Sequence, residues 1–170
     1  VHDACTGSGC VAIALKHARP DLEVSASDIS REALAVARLN ARRLLGPRPG
    51  VRFRPSDLLS RVWRRFDLVT ANPPYLSDHE GENMSKVGWP EPAGALRGGP
   101  DGTDLLRRLV RQAPRRLRPG GWLLLEASPE QMPALQAAMR AAGFREAEVL
   151  ADLAGRQRVI RARSVRQGRG

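Results

Sequence analysis

An α/β fold built on a mostly parallel sheet is what this sequence predicts, and three observations predict it. Short apolar runs alternate with stretches of helical periodicity along the whole chain. A glycine turn, Thr6 to Gly9, separates the first apolar run from the first helical pattern. An acidic residue, Asp28, closes the second apolar run about 20 residues further on. The 170 residues suffice for one domain that buries roughly 70% of the unfolded chain's surface, so no disulfide or metal staple is needed.

Val1 to Cys5 reads as the end of a first strand, Thr6 to Gly9 as a turn, and about Cys10 to Ala18 as a helix. Leu22 to Ser27 gives a second strand ending at Asp28. Ser30 is placed to cap the next helix, whose Leu34, Ala37, Ala41 and Leu44 share one face. Gly46-Pro47 and Pro49-Gly50 stop that helix. Val51 to Arg54 is a third strand and Phe66 to Ala71 a fourth. From Pro73 to about Pro100 a long loop rich in Gly and Pro is expected, of the kind that carries function in compact domains. Leu105, Leu109, Ala113 and Leu117 define a further helix, which Pro114 kinks or splits. Pro119-Gly120-Gly121 reads as a turn into the apolar strand Trp122 to Leu125. Met132, Leu135, Met139 and Ala142 mark a last helix, ended by Gly143. Final strands are expected near Glu146 to Leu150 and Arg158 to Arg163, with Ser164 to Gly170 a basic tail outside a domain spanning 1–163.

Several function classes are excluded. The longest uncharged run, Ala4 to Leu15, covers 12 residues, too few for a bilayer that needs about 20, so no membrane span is expected. Val1-His2-Asp3 offers no initiator Met, no basic n-region and no apolar h-region; the chain opens inside a strand and reads as a fragment. Cys5 and Cys10 match no zinc pattern and sit among small apolar residues, as structural thiols of a reduced, cytoplasmic setting do. His2, His17 and His79 form no metal spacing and are read as structural or solvated, so no metal is expected. Glu80 and Glu82 read as a solvated loop pair.

The net charge of +10 is of the sign that draws a protein towards RNA or ribosomal particles. Nearly all of it is Arg, with Lys16 and Lys86 the sole lysines, which a compositional bias in the coding sequence explains equally well. Aromatics at 4% supply a base-stacking platform poorly. The clusters Arg107-Arg108-Arg111 and Arg115-Arg116-Arg118 are therefore read as solvated surface.

Two motifs carry chemistry. Gly7-Ser8-Gly9-Cys10-Val11-Ala12 fits the G-x-G-x-x-A fingerprint, whose glycines let the backbone approach a ligand, and Asp28 stands where an acid binds ribose hydroxyls. Together they indicate a cofactor containing adenosine, without saying which. Asn72-Pro73-Pro74-Tyr75 closes the fourth strand, at the end where ligands bind in open α/β sheets. Its prolines supply no N–H, so the Asn72 amide oxygen and the Pro73 carbonyl stand as paired acceptors for both hydrogens of a planar NH₂ group, on which Tyr75 can stack. Such acceptors orient a poor nitrogen nucleophile and stabilise the positive charge that grows on it during methyl transfer. Glu126, after Trp122 to Leu125, lies on the same side of the sheet.

With these motifs the sequence resembles the class I S-adenosylmethionine-dependent methyltransferases, and more narrowly the HemK-like release-factor glutamine N5-methyltransferases. The residues that carry the resemblance are Asp3-Ala4-Cys5-Thr6-Gly7-Ser8-Gly9, Asp28, Asp57 and Asn72-Pro73-Pro74-Tyr75. Glu91-Pro92, Ala95-Leu96, Gly98-Gly99-Pro100-Asp101-Gly102-Thr103-Asp104, Leu117-Arg118-Pro119-Gly120-Gly121, Phe144 and Asp152-Leu153-Ala154-Gly155 with Arg158-Val159 extend it to about residues 2–160. The resemblance implies a Rossmann-like, mostly parallel seven-stranded sheet with helices on both faces. It implies that Thr6, Gly7, Ser8 and Gly9 wrap the methionine and ribose of S-adenosyl-L-methionine, and that Asp28 binds the ribose hydroxyls. Asp57 and Leu58 would border the adenine, Asn72 would also touch the cofactor, and Asn72, Pro73, Pro74 and Tyr75 would hold the glutamine amide of a peptide chain release factor. Cys5 departs from the glycine common at its position, and the resemblance implies an N-terminal helical domain that these 170 residues are not expected to include. Three alternatives stay open, one of them a non-catalytic fragment that only binds the cofactor. An RNA or DNA amino-group methyltransferase would satisfy the same acceptors, whereas an NAD-dependent oxidoreductase would use the fingerprint but leave the tetrapeptide unexplained.

Overall fold

The computed structural model describes residues 1–86 and 98–165. Along it run β1 (His2–Ala4), α1 (Cys10–Ala18), β2 (Val24–Asp28), α2 (Arg31–Leu45), β3 (Val51–Pro55) and β4 (Phe66–Ala71). Then come α3 (Asp78–Lys86), α4 (Asp104–Gln112), β5 (Leu117–Glu126), α5 (Met132–Ala141), β6 (Phe144–Ala151) and β7 (Gln157–Ser164). The strands form one seven-stranded sheet in the order β3-β2-β1-β4-β5-β7-β6. All neighbours from β3 to β5 are parallel, and β7 runs antiparallel to both β5 and β6. From β1 the chain steps outward to β2 and β3, then returns to lay β4 on the other side of β1. Right-handed crossovers that progress in opposite directions put their helices on opposite faces. Accordingly α1 and α2 pack on each other, and α4 and α5 form a separate pair.

Local chemistry explains most boundaries. The Ser30 hydroxyl accepts from the Ala33 N–H at 3.0 Å and so starts α2, whose Leu34, Ala37 and Ala41 are buried. Such a cap contributes about 1 kcal/mol. Leu106, Leu109 and Val110 bury one face of α4, and its arginines take the other. The main core collects these residues with Val69, Leu123, Leu125, Leu135, Met139 and Ile160, between the α4–α5 layer and the sheet.

Five sequence expectations change. The stretch Pro73 to Pro100 is not all loop: α3 occupies Asp78–Lys86, with Glu80 accepting from the Ser77 N–H at 2.9 Å at its start, so His79, Glu80 and Glu82 are helical. Glu91-Pro92 and Ala95-Leu96 lie outside the described residues. Leu117 is not helical; Pro114, lacking an N–H, ends α4 in a single 3-10 turn over Ala113–Arg115, and Leu117 opens β5 opposite Phe66. Pro119-Gly120-Gly121 is no turn between elements but a bulge within β5, where the register shifts between Phe66 and Leu68. Cys10 is exposed rather than apolar filling, and Ser164, expected in the tail, ends β7 with its side chain buried.

His2 is a buried polar residue of β1. Its Nδ1 and Nε2 sit 2.9 and 3.0 Å from the Ser25 and Ser27 hydroxyls, and its ring stacks on Phe66 at 4.9 Å. Burial, helped by the Val1 ammonium and Arg54, lowers its pKa to about 3. The folded protein therefore keeps His2 neutral, whereas the unfolded chain takes up a proton below about pH 6.5. The unfolded state binds more protons through that window, so stability falls as pH drops from about 6.5 towards 3. Urea titrations of wild type and His2→Asn between pH 7 and 4.5 are expected to show a steeper acid loss in wild type. The excess slope is at most about 1.4 kcal/mol per pH unit. Parallel slopes would mean that His2 is charged in the fold.

Candidate active site

Strands β1, β2 and β4 end side by side, and β1 beside β4 is where the strand order reverses. Crevices at such switch points are the ligand sites of open α/β sheets. Asp3, at the centre of β1, ties this edge together. Its carboxylate accepts from Thr6 Oγ1 at 2.6 Å and from Thr70 Oγ1 at 2.8 Å, joining the glycine turn to β4. Burial raises its pKa, and these hydrogen bonds oppose the rise.

The turn itself is shaped by residues that must adopt unusual backbone angles. Gly9 starts α1 at φ 90°, and a Cβ there would stand 3.0 Å from Ile13 and 3.1 Å from Ala37, so α1 could not lie so near α2. Cys5 also takes a positive φ, 55°, which explains why glycine suits that position. Its half-buried thiol, desolvated and facing the charges of Asp28 and Asp3, is pushed up to about 12 and is not a thiolate nucleophile. Thr6 is buried with its hydroxyl committed to Asp3, so only its backbone can meet a ligand. Over Gly7 the space is open, since a Cβ there would touch nothing within 4 Å, and Ser8 is exposed.

Asp28 closes the crevice on the β2 side. One carboxylate oxygen accepts from the Gly7 N–H at 2.8 Å and the other from the Ser30 N–H at 2.9 Å. Each oxygen keeps a further lone pair for a ligand hydroxyl. The Asp28 carbonyl accepts from the Ser56 N–H at 2.9 Å, which brings Asp57 and Leu58 alongside. Leu58 is buried at φ 50°, a strained conformation for a branched side chain. Asp57 pairs with Arg108 of α4 at 2.5 Å.

The tetrapeptide follows β4 directly. Asn72 is exposed, and its side chain makes no hydrogen bond among the described residues; Pro73 is buried beneath it. The Tyr75 hydroxyl donates to Glu126 Oε1 at 3.4 Å, at the end of β5. Burial, then the neighbouring Glu126 charge, raises the phenol's pKa. The structure thus gathers Gly7, Ser8, Gly9, Asp28, Asp57, Leu58 and Asn72 to Tyr75 along one edge of the sheet. It also reveals participants to which sequence reading gave no role. Arg108, which sequence pattern alone assigns to solvated surface, holds Asp57. Gln131 is buried, and its Nε2 donates to the Tyr75 carbonyl at 2.8 Å. The spacing Ser128-x-x-Gln131, a capping-box pattern, was the signal available for it. Among the described residues no cluster of His, Cys, Asp and Glu could hold a metal ion, and no helix is long and apolar enough to cross a membrane.

Comparison with known proteins places the chain among methyltransferases. The release factor glutamine methyltransferase of Deinococcus radiodurans is 44% identical over 163 residues, covering 96% of this chain and 57% of that protein. The ribosomal protein uL3 glutamine methyltransferase of Xylella fastidiosa, strain Temecula1, is 40% identical over 135 residues, 79% of this chain and 43% of the relative. The chain thus spans only about half the length of these curated relatives. Among solved structures, a ribosomal protein L11 methylase from Lactobacillus delbrueckii superposes with a TM-score of 0.68 at 25% identity, over 96% of this chain and 69% of that one. The methyltransferase small domain family matches residues 1–89, which hold the glycine turn, Asp28, Asp57 and the Asn-Pro-Pro-Tyr loop. By that match over half its length, the chain belongs to the methyltransferase small domain family.

Proposed function

We propose that this chain is the catalytic domain of an S-adenosylmethionine-dependent methyltransferase. Its acceptor would be a glutamine side-chain amide in a peptide chain release factor, in a Gly-Gly-Gln loop, which places it in the cytoplasm. The observation that carries the reading is the exposed Asn72 amide, free of internal partners among the described residues, set beside the glycine turn and Asp28. The names of the relatives support a glutamine acceptor in the translation apparatus, whether a release factor or a ribosomal protein. The crevice also fits the cofactor: the open space over Gly7 admits close backbone approach, and Asp28 has acceptor capacity for two ribose hydroxyls. Asp57, held by Arg108, would border the adenine together with the backbone of Leu58, whose side chain is buried in the core.

When bound, the cofactor supplies an electrophilic methyl group on a sulfonium. The chain's part is to orient the nucleophile. The Asn72 amide oxygen and the Pro73 carbonyl accept the two N–H groups of the glutamine amide, and the Tyr75 ring lies against its plane. An amide nitrogen carries little basicity because its lone pair is delocalised. The two acceptors strengthen as positive charge grows on that nitrogen, so they stabilise the transition state more than the bound substrate. No strong base has to act before the methyl group moves.

A second reading, methylation of an amino group in RNA, has one feature in its favour. Arg107, Arg108 and Arg111 line a shallow groove beside Gly98, and Arg111 continues into another with Arg115 and Arg116. Arg116 also lies over the exposed Trp63 ring at 5.5 Å. Incubating the chain with labelled cofactor and either release factor or ribosomal RNA separates the two readings. A single added methyl on the release-factor glutamine by mass spectrometry is expected. Label on RNA with the protein acceptor untouched would replace the first reading by the second.

Two substitutions test the roles. Asp28→Ala removes a charged acceptor from two hydroxyls and is expected to weaken cofactor binding about tenfold or more by calorimetry. An unchanged dissociation constant would take Asp28 out of the cofactor site. Asn72→Ala is expected to leave cofactor affinity within about threefold while lowering turnover by about 10²–10³. Near wild-type turnover would reduce the tetrapeptide to a turn.

A further inference from the structure

We infer that Gln131 is a positioning residue for the acceptor loop, setting Tyr75 through its backbone while Glu126 holds the phenol. The inference rests on the methyltransferase reading for what the loop does, but its geometry stands apart from that reading. The connection between β5 and α5 touches Tyr75 at both ends. Glu126 accepts from the hydroxyl at 3.4 Å, and Gln131 Nε2 donates to the carbonyl at 2.8 Å. The same amide nitrogen reaches the Asp101 carbonyl at 3.4 Å, in the glycine-rich stretch before α4. Gln131 Oε1 accepts from the Ser128 N–H at 3.1 Å, which fixes the side chain to its own turn.

One buried amide thus joins the tetrapeptide, the Gly98 to Asp104 stretch and the start of α5. The fit leaves no slack. Gly102 sits at φ 71°, and a Cβ there would strike the Tyr75 carbonyl and stand 2.7 Å from Gln131 Nε2. A Cβ on Gly98 would stand 2.7 Å from the Pro74 carbonyl. Further bonds hold the two segments in parallel, Gly98 N–H to the Leu76 carbonyl at 2.7 Å and Asp78 N–H to the Gly99 carbonyl at 3.0 Å. Only an amide serves at position 131. Its two N–H groups meet two carbonyls while its oxygen meets an N–H, and neither a carboxylate nor an apolar chain can do all three. Tyr75 follows Pro73 and Pro74, whose φ angles are fixed, so a grip on its carbonyl is passed stiffly back towards Asn72.

Tyr75 is the single tyrosine of the chain, so its ring can be observed alone. Ring-labelled tyrosine followed by NMR at neutral pH, and then titrated, reads its surroundings: burial, Glu126 and Arg158. Gln131→Met keeps the length and removes the hydrogen bonds, whereas Gln131→Glu keeps the acceptor for Ser128 but loses donation to Tyr75. In both variants the ring signal is expected to move towards that of free tyrosine. The raised phenol pKa should fall towards its ordinary value, with the Trp122 signal unchanged as a check of the fold. The methylation rate at saturating substrates should drop about tenfold or more, with the cofactor dissociation constant within twofold. If Gln131→Met does not fold, Gln131→Glu carries the test. An unmoved ring signal and an unchanged rate would overturn the inference. A displaced ring in a chain whose wild type methylates no glutamine would instead leave the clamp standing and overturn the proposed acceptor.

Discussion

The Asp3 carboxylate is the interaction on which the rest of this molecule depends. It lies under the crevice, 2% exposed, and accepts from the hydroxyls of Thr6 and Thr70. A carboxylate so placed is costly unless every lone pair finds a donor, and the donors come from the glycine turn and from β4. Satisfying Asp3 therefore fixes the turn against the strand that leads to the tetrapeptide. The two halves of the proposed reaction, cofactor and acceptor, are brought to one edge by one buried group.

Around that anchor the crevice is assembled from short tethers. Asp28 receives the Gly7 and Ser30 N–H groups, and its own carbonyl draws in the Ser56 loop. On the other side the β5–α5 connection reaches over to Tyr75 through Glu126 and Gln131. Of the three non-glycine residues with positive φ angles among the described residues, Cys5 and Leu58 lie on either side of Asp28, and Glu146 sits apart in β6. Such residues persist only where surrounding contacts over-determine them, and Cys5 and Leu58 lie where the adenosine and methionine parts of the cofactor are proposed to rest.

Arginine, abundant enough to be read as bias, turns out to have mixed duties. Arg108 holds Asp57 and Arg118 pairs with Asp67 at 2.7 Å, whereas Arg111 and Arg115 face grooves with no carboxylate partner among the described residues. Exposed pairs of this kind contribute little to stability, about 0–1 kcal/mol each. Their value lies in where they place the acid. Composition alone could not sort these residues, because a helix face and an ion pair across 51 residues of sequence look alike in a list of arginines.

Much of the fold was legible in the chain. Period-two and period-3.6 patterning, the Ser30 cap and the glycine turn placed β1, α1, α2 and β4 within a few residues, since these signals act over single turns. The motifs also marked residues that the fold brings to one edge of the sheet, because a glycine turn after a strand and a proline-stiffened strand end both fall where parallel strands finish. What the sequence by itself determined is thus the class of fold and the chemistry of its exposed groups. The tertiary structure alone decided the rest. It made α3 out of an expected loop and drew Leu117 and Pro119 to Gly121 into β5 through pairing with Phe66 and Leu68. It also carried Gln131 to the Tyr75 carbonyl across 56 residues. Such contacts depend on which strands become neighbours, and a buried amide takes on a role only when the carbonyls it must satisfy have been brought to it.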